Sequence, residues 1–90
     1  MVKEKTYGSG ETDELVNEKR QLILFNDDHN TFDHVIDALL ECCEHDLHQA
    51  EQCALITHFK GKCGVKKGSF EELKPIHQEM GRRDLTVEIQ

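Results

Sequence analysis

The sequence predicts an α+β domain in which three helices pack on one face of a small, mostly antiparallel three-stranded sheet, in the order β-α-α-β-α-β. Short segments near both ends of region 20–90 have the composition or the alternation of strands, and three longer segments between them have helical periodicity or capping residues. Because a chain of 90 residues has room for one compact core, we expect a single domain.

The strand signals differ in strength. An apolar run at Gln21–Phe25 is too short for a helix and ends at a polar cluster, which predicts the first strand. Strict alternation of apolar and polar residues predicts the closing strand at Leu85–Ile89. The segment 63–68 is rich in glycine and lysine, so we expect a loop there with a minimal strand at most.

Two helices are predicted between the first strand and this loop. From Phe32 onward the apolar residues recur at intervals of three and four, and Asn30 is a suitable N-cap. A second helix should begin at Asp46, which caps it while Gln49 reaches back, and should end at Gly61, where glycine permits a left-handed turn.

A capping box at Ser69–Glu72 predicts the start of the third helix. Pro75 follows closely, and because proline removes an internal hydrogen bond, this helix should be kinked or short. Residues 1–19 mix charges of both signs with glycines and lack apolar periodicity, so we expect a flexible arm ahead of a domain at 20–90.

Composition excludes several classes of partner. The formal net charge of -7 would repel nucleic acid and anionic membranes, and it favours a cationic ligand or a basic protein surface. No apolar segment is long enough to span a membrane and no signal peptide is recognisable, so a cytoplasmic location is expected. In that compartment the 4 cysteines should be reduced core residues, and we expect no metal and no cofactor.

The cluster Asn26-Asp27-Asp28 permits two interpretations. All three residues can be turn formers with a solvated charge pair. Alternatively, one carboxylate faces into a site while the other hydrogen-bonds backbone donors at the helix entry. His58, in the last turn of the second helix, also permits two interpretations: it can be a surface residue compatible with the helix dipole or a functional residue.

Read together, these segments resemble the ClpS family, the N-degron adaptors that deliver proteins to a Clp ATP-dependent unfoldase and protease. The resemblance rests on the block from Asn26 to Phe32 followed by Val35, and on the run from Ala50 to Gly61 that contains His58. It covers about residues 20–90, nearly the whole predicted domain.

The resemblance implies a site for the free α-amino group of a substrate, formed by Asn26, Asp27 and His58. Their chemistry agrees, because an ammonium has three donors and no acceptor, and an amide oxygen, a carboxylate and a neutral imidazole nitrogen all accept. Asp27 would pair with the charge. Asp28 would be better placed to brace the turn, and Asn30 stands at the rim, where the family often has threonine.

The resemblance also implies an apolar pocket for the first side chain of the substrate, built by Phe32, Val35, Ala54 and Leu85. From periodicity alone these residues would belong to the ordinary core. The family often has methionine at the positions of Phe32 and Ala54, so the side-chain preference of this pocket is open.

The function implied is that of a monomeric adaptor without enzymatic activity. It would bind proteins that begin with Phe, Trp, Tyr or Leu and pass them to a Clp AAA+ unfoldase of the ClpA or ClpC type, with the arm taking part in delivery. Two rivals stay open: a small hydrolase that uses Asp27, Asp28 and His58, and a structural interaction domain without specificity for the first residue.

Overall fold

The computed structural model describes residues 18–90, and its elements follow the predicted order and confirm the α+β class. The prediction of an arm at residues 1–19 lies almost wholly outside the described residues and stays a prediction. In chain order the elements are β1 (Arg20–Phe25), α1 (Phe32–Cys42), α2 (Leu47–Lys60), β2 (Lys62–Gly68), α3 (Phe70–Arg82) and β3 (Thr86–Ile89).

Strand β1 is the centre of the sheet, with β2 on one side and β3 on the other, and both pairs are antiparallel. This position explains the unbroken apolar run of β1. Leu22 and Leu24 are buried in the core against the helices, while Ile23, which alternation turns to the other face, is buried as well. In β3 the predicted alternation is confirmed, since Val87 and Ile89 pack against the core.

The expectation of a loop with at most a minimal strand at 63–68 is wrong, because β2 is a strand of seven residues that pairs with β1 along its length. Its lysines and glycines disfavour a strand on composition alone. At the edge of a sheet, however, exposed lysines are common, and a bulge opposite Leu22 places Val65 in the core.

Two of the predicted helix signals are confirmed by hydrogen bonds. Asp46 caps α2 by accepting from the backbone N–H of Gln49 at 2.8 Å, and Gly61 ends the helix with a φ of 94°. At α3, Ser69 accepts from the backbone of Glu72, whose carboxylate accepts from the backbone of Ser69. These local interactions satisfy N–H groups that have no partner within the helix.

Asn30 is not the N-cap of α1, as the sequence suggested. Thr31 takes that place, and its hydroxyl oxygen accepts from the backbone N–H of His34 at 3.0 Å. Both residue types cap helices well, so the local sequence does not decide between them. The side-chain amide of Asn30 instead donates hydrogen bonds to the carboxylate of Asp27 and to the backbone carbonyl of the distant Asp84.

Of the two expectations for α3, a kink or a short helix, the second is wrong, because the helix runs from Phe70 to Arg82 with Pro75 inside it. The proline removes a donor to the carbonyl of Glu71, but both residues are exposed and water can bond that oxygen. Leu73 and Met80 on the opposite side are fully buried, and their packing holds the helix together.

The core lies between the helices and one face of the sheet, and the cysteines contribute to it as free thiols. Cys43 is buried, which raises the pKa of its thiol to about 12, so it is an inert core residue as predicted. The other three are half-buried and pack against the same core. Among residues 18–90, none of the helices has the length and apolar character required to cross a bilayer.

Candidate functional site

A cavity of about 450 Å³ lies where β1 ends, α1 begins and the second half of α2 passes. Its volume is within the range of small-ligand pockets, roughly 300–1,000 Å³. Its lining combines polar and apolar side chains. The lining residues are Asn26, Asp27, Asp28, Asn30, Phe32, Val35, Ala54, Thr57 and His58.

The structure therefore brings together eight of the nine residues that the sequence analysis assigned to one site. The ninth, Leu85, lines a smaller cavity of about 20 Å³ next to the first. The two cavities share Val35 and Thr57 as well as part of the polar lining, and Leu24 adds core surface to the smaller one. Leu85 thus lines the neighbouring cavity and not the main one.

The end of β1 and the end of α2 meet through a backbone hydrogen bond. The N–H of Asn26 donates to the carbonyl oxygen of Gly61, the C-cap of α2, at 2.9 Å. His58 belongs to the last turn of that helix, so this bond sets the histidine beside the polar turn that follows β1. The left-handed glycine is what allows the chain to leave α2 at this point.

Asp27 organises the polar turn. Its carboxylate accepts from the backbone N–H groups of His29 and Asn30, at 3.3 and 3.0 Å, and from the side-chain amide of Asn30 at 2.8 and 3.0 Å. Burial raises the pKa of this carboxyl, but the hydrogen bonds from Asn30 and His29 outweigh that effect, and the pKa lies below its ordinary value. Asp27 is therefore ionised at neutral pH.

The two aspartates divide their tasks differently from what the sequence suggested. The bracing of the turn was assigned to Asp28, but the donors of the turn converge on Asp27, whose side chain is only 15% exposed. Asp28 is exposed on the cavity wall. Both carboxylates border the cavity. In Asp27 three of the four contacts go to Oδ1 and only one goes to Oδ2, so Oδ2 retains acceptor capacity for a ligand.

The apolar side of the cavity has a floor and a mouth. Ala54 is only 3% exposed and forms the floor, where its methyl group leaves open space. Phe32, in the first turn of α1, is 42% exposed and stands at the mouth. Half-buried Val35, one turn further along the same helix, lies between them in depth.

Thr57 is buried and lines both cavities, although it is not among the site residues that the sequence predicts. Its hydroxyl donates to the carbonyl oxygen of Cys53 at 2.8 Å, so its polarity is satisfied within α2. The signal was present, since Ala50, Ala54 and Thr57 follow the spacing of a buried helical stripe. A threonine in such a stripe is easily taken for a surface residue.

His58 is exposed at the rim, and its ring meets that of Phe59 edge to face with centroids 5.0 Å apart. Together with Asn26 and the two aspartates it presents acceptors on several sides of one space, next to an apolar floor. Such a set suits a cation that carries an apolar group. In residues 18–90 no three or more histidine, cysteine, aspartate or glutamate side chains are grouped so that they could hold a metal ion.

Comparison with known proteins identifies the family. The model of the family described as ATP-dependent Clp protease adaptor protein ClpS matches residues 17–87, which include every residue of both cavities. The chain is also 29% identical over 80 residues to the human E3 ubiquitin-protein ligase UBR1, and the mouse protein of that name gives the same identity. That alignment spans 81% of this chain but only 5% of each ligase. With most of its length matched by the family model and its fold and cavity as described, the chain belongs to the ClpS family of Clp protease adaptors.

Proposed function

We propose that this protein binds the free N-terminus of substrate proteins whose first residue is large and hydrophobic, and that it delivers them to a Clp unfoldase. One observation carries the proposal: the acceptors of Asn26, Asp27 and His58 border the same cavity as the apolar surface of Ala54 and Val35. An N-terminal residue such as phenylalanine is the ligand with this combination, an ammonium directly attached to a carbon that bears an apolar side chain.

The amine would be held at the polar side of the cavity. Its three donors match acceptors of different kinds, and the ionised Asp27 supplies the opposite charge close to where the ammonium would lie. Membership of an adaptor family supports a binding role without catalysis. The hydroxyl of Thr57, the one alcohol in the lining, already donates within its own helix, which does not favour a hydrolase that would use it as a nucleophile.

Delivery to an unfoldase of the ClpA or ClpC type is proposed from the family and from charge. The formal net charge of -7 favours a partner surface that is basic, and association should therefore weaken as salt is added. The adaptor is proposed to act as a monomer in the cytoplasm, without a cofactor.

The proposal predicts a strong dependence of affinity on the first residue of a peptide. Labelled peptides that begin with Phe should bind at least tenfold more tightly than the same peptides beginning with Gly, because filling an apolar pocket contributes roughly 1.5–3 kcal/mol. Fluorescence anisotropy with peptides that differ only at this position measures the difference. Equal affinity for both would favour a structural interaction domain, and turnover of the peptides would favour the hydrolase.

A chain that begins at Lys19 is expected to bind peptides as the full chain does, because among residues 18–90 those that line the cavity all lie from Asn26 onward. It should nevertheless lose the ability to stimulate degradation by the Clp machine, for which the arm is proposed to be needed. Anisotropy and a degradation assay with purified unfoldase and protease measure the two activities separately.

The matched control is the full chain carrying Asp27→Ala, which keeps the arm and should lose peptide binding instead. Loss of peptide affinity in the truncated chain would show that residues 1–18 belong to the binding domain. Unimpaired delivery by the truncated chain would remove the arm from the mechanism.

A further inference from the structure

The side-chain amide of Asn30 has both of its hydrogens engaged inside the protein. Its Nδ2 atom lies 2.8 Å from the carbonyl oxygen of Asp84, and 3.0 and 2.8 Å from the Oδ1 and Oδ2 atoms of Asp27. Since a primary amide has two N–H donors, one goes to each partner. Asn30 thus joins the turn after β1 to the turn between α3 and β3, which is 54 residues away in sequence.

The second turn, between α3 and β3, contacts both α1 and the turn after β1. Asp84 has a φ of 69°, a left-handed conformation that costs energy for any residue other than glycine. Its own N–H donates to the carbonyl of Gly81 at 3.0 Å. Its carboxylate lies 3.0 Å from the ring of His29, but both side chains are exposed, so this pair contributes little. The ring N–H of His34 donates to the carbonyl of the preceding Arg83 at 2.7 Å.

We infer that Asn30 is a positioning residue of the amine site, which holds the carboxylate of Asp27 in place by tying it to the Asp84 turn. This inference rests on the proposed function and adds a role that the cavity lining alone does not assign. Asn30 borders the cavity, but its two donors are directed at the protein and not at a ligand. The influence on an ammonium that we propose for Asn30 passes through Asp27, which receives one of these two donors.

The ionisation of Asp27 provides a readout that a purely structural role would leave unchanged. Burial raises the pKa of this carboxyl, and the amide of Asn30 is the largest influence that lowers it, ahead of the backbone of Asn30 and of His29. Other titratable groups near it are His29 on the same turn, Asp28 and His58 in the lining of the cavity, and Asp84 beyond the amide. Without the amide, burial would have fewer opposing hydrogen bonds, so Asp27 should protonate at a higher pH.

The test measures the carboxyl ¹³C titration of Asp27 by NMR and the ratio of affinities for free and N-acetylated peptides that begin with Phe. In Asn30→Ala the titration should move to higher pH, and the ratio should fall about tenfold, as expected for a misplaced charged hydrogen bond. Asn30→Leu, which keeps the volume and removes both donors, should behave in the same way if Ala disturbs the fold.

Three control variants separate positioning from stability. Thr31→Ala removes the N-cap of α1 without touching Asp27, so it should lower stability but leave both readouts unchanged. Asp84→Gly keeps the carbonyl that accepts from Asn30 and suits the left-handed backbone, so it should retain the affinity ratio. His29→Gln shows how much of the titration belongs to the neighbouring ring.

An unchanged Asp27 titration in both Asn30 variants would overturn the inference. A shifted titration with an unchanged affinity ratio would overturn it too, since Asn30 would then affect the carboxyl without serving the amine. If the wild-type protein itself did not distinguish free from acetylated peptides, the proposed function would fail, and that failure is recognisable because it precedes any substitution.

Discussion

Acetylating the N-terminus of a peptide that begins with phenylalanine is expected to weaken its binding to this protein at least a hundredfold. The acetyl group removes the positive charge and two of the three donors, so two of the three proposed acceptors, Asn26, Asp27 and His58, lose their partner. Each hydrogen bond to a charged group contributes about 1.5–3 kcal/mol, and about 1.4 kcal/mol corresponds to a tenfold change in the dissociation constant. Loss of two such bonds predicts at least a hundredfold weaker binding. Fluorescence anisotropy with the two peptides measures it directly.

Two aspartate variants show which carboxylate meets the ammonium. If Asp27 carries the charge pairing, Asp27→Asn should bind free and acetylated peptides with nearly equal, low affinity, whereas Asp28→Asn should keep most of the difference. The comparison is needed because Asp27 is the carboxylate already engaged with the turn, while Asp28 is the more exposed one on the cavity wall. The reverse result would move the amine to Asp28, and equal binding of both peptides by the wild type would contradict the amine site altogether.

The parts of the fold that the sequence predicts correctly are those whose signals are local. The N-cap of Asp46 and the left-handed Gly61 act within one turn of α2, and the box at Ser69 and Glu72 acts within one turn of α3. The signal of β1 is equally local, because a short apolar run that ends at a polar cluster indicates a strand without knowledge of its partner strands.

The errors arise where a distant contact decides. β2 has lysines and glycines that are typical of a loop, and it forms a strand because its backbone pairs with that of β1. Asn30 and Thr31 are both good caps, and the choice between them depends on Asp84, at the other end of the chain. Pro75 is accommodated because the packing of α3 on the core outweighs one lost hydrogen bond.

The same distinction applies to the site. The family resemblance gathers residues that the structure places around one cavity, yet it does not show how adjacent aspartates divide their work. That division depends on which carboxylate lies beneath the donors of the turn, a matter of backbone geometry that residue types alone leave open. Thr57 was missed for the opposite reason, since its spacing marks it as buried but nothing in its type marks it as part of a pocket.

The depth and the mouth of the cavity predict which first residues are preferred. At the floor, the methyl group of Ala54 leaves room that a large ring can fill and that leucine fills less well. At the mouth, the ring of Phe32 near Val35 should exclude side chains branched at Cβ. We therefore expect peptides led by Phe, Trp and Tyr to bind more tightly than Leu, with Ile and Val far behind.

Two substitutions test these causes separately by anisotropy with the same set of peptides. Ala54→Met extends a side chain into the cavity and should weaken Trp-led peptides more than Leu-led ones, by up to roughly 1.5–3 kcal/mol if the ring no longer fits. Phe32→Ala should admit peptides led by Ile and Val. Leu55→Met, which adds the same side chain at the next position of α2 but on its exposed side, is the matched control and should change nothing. If Ala54→Met weakens all of the peptides equally, Ala54 is an ordinary core residue beside the site, and the amine-binding turn alone would account for recognition.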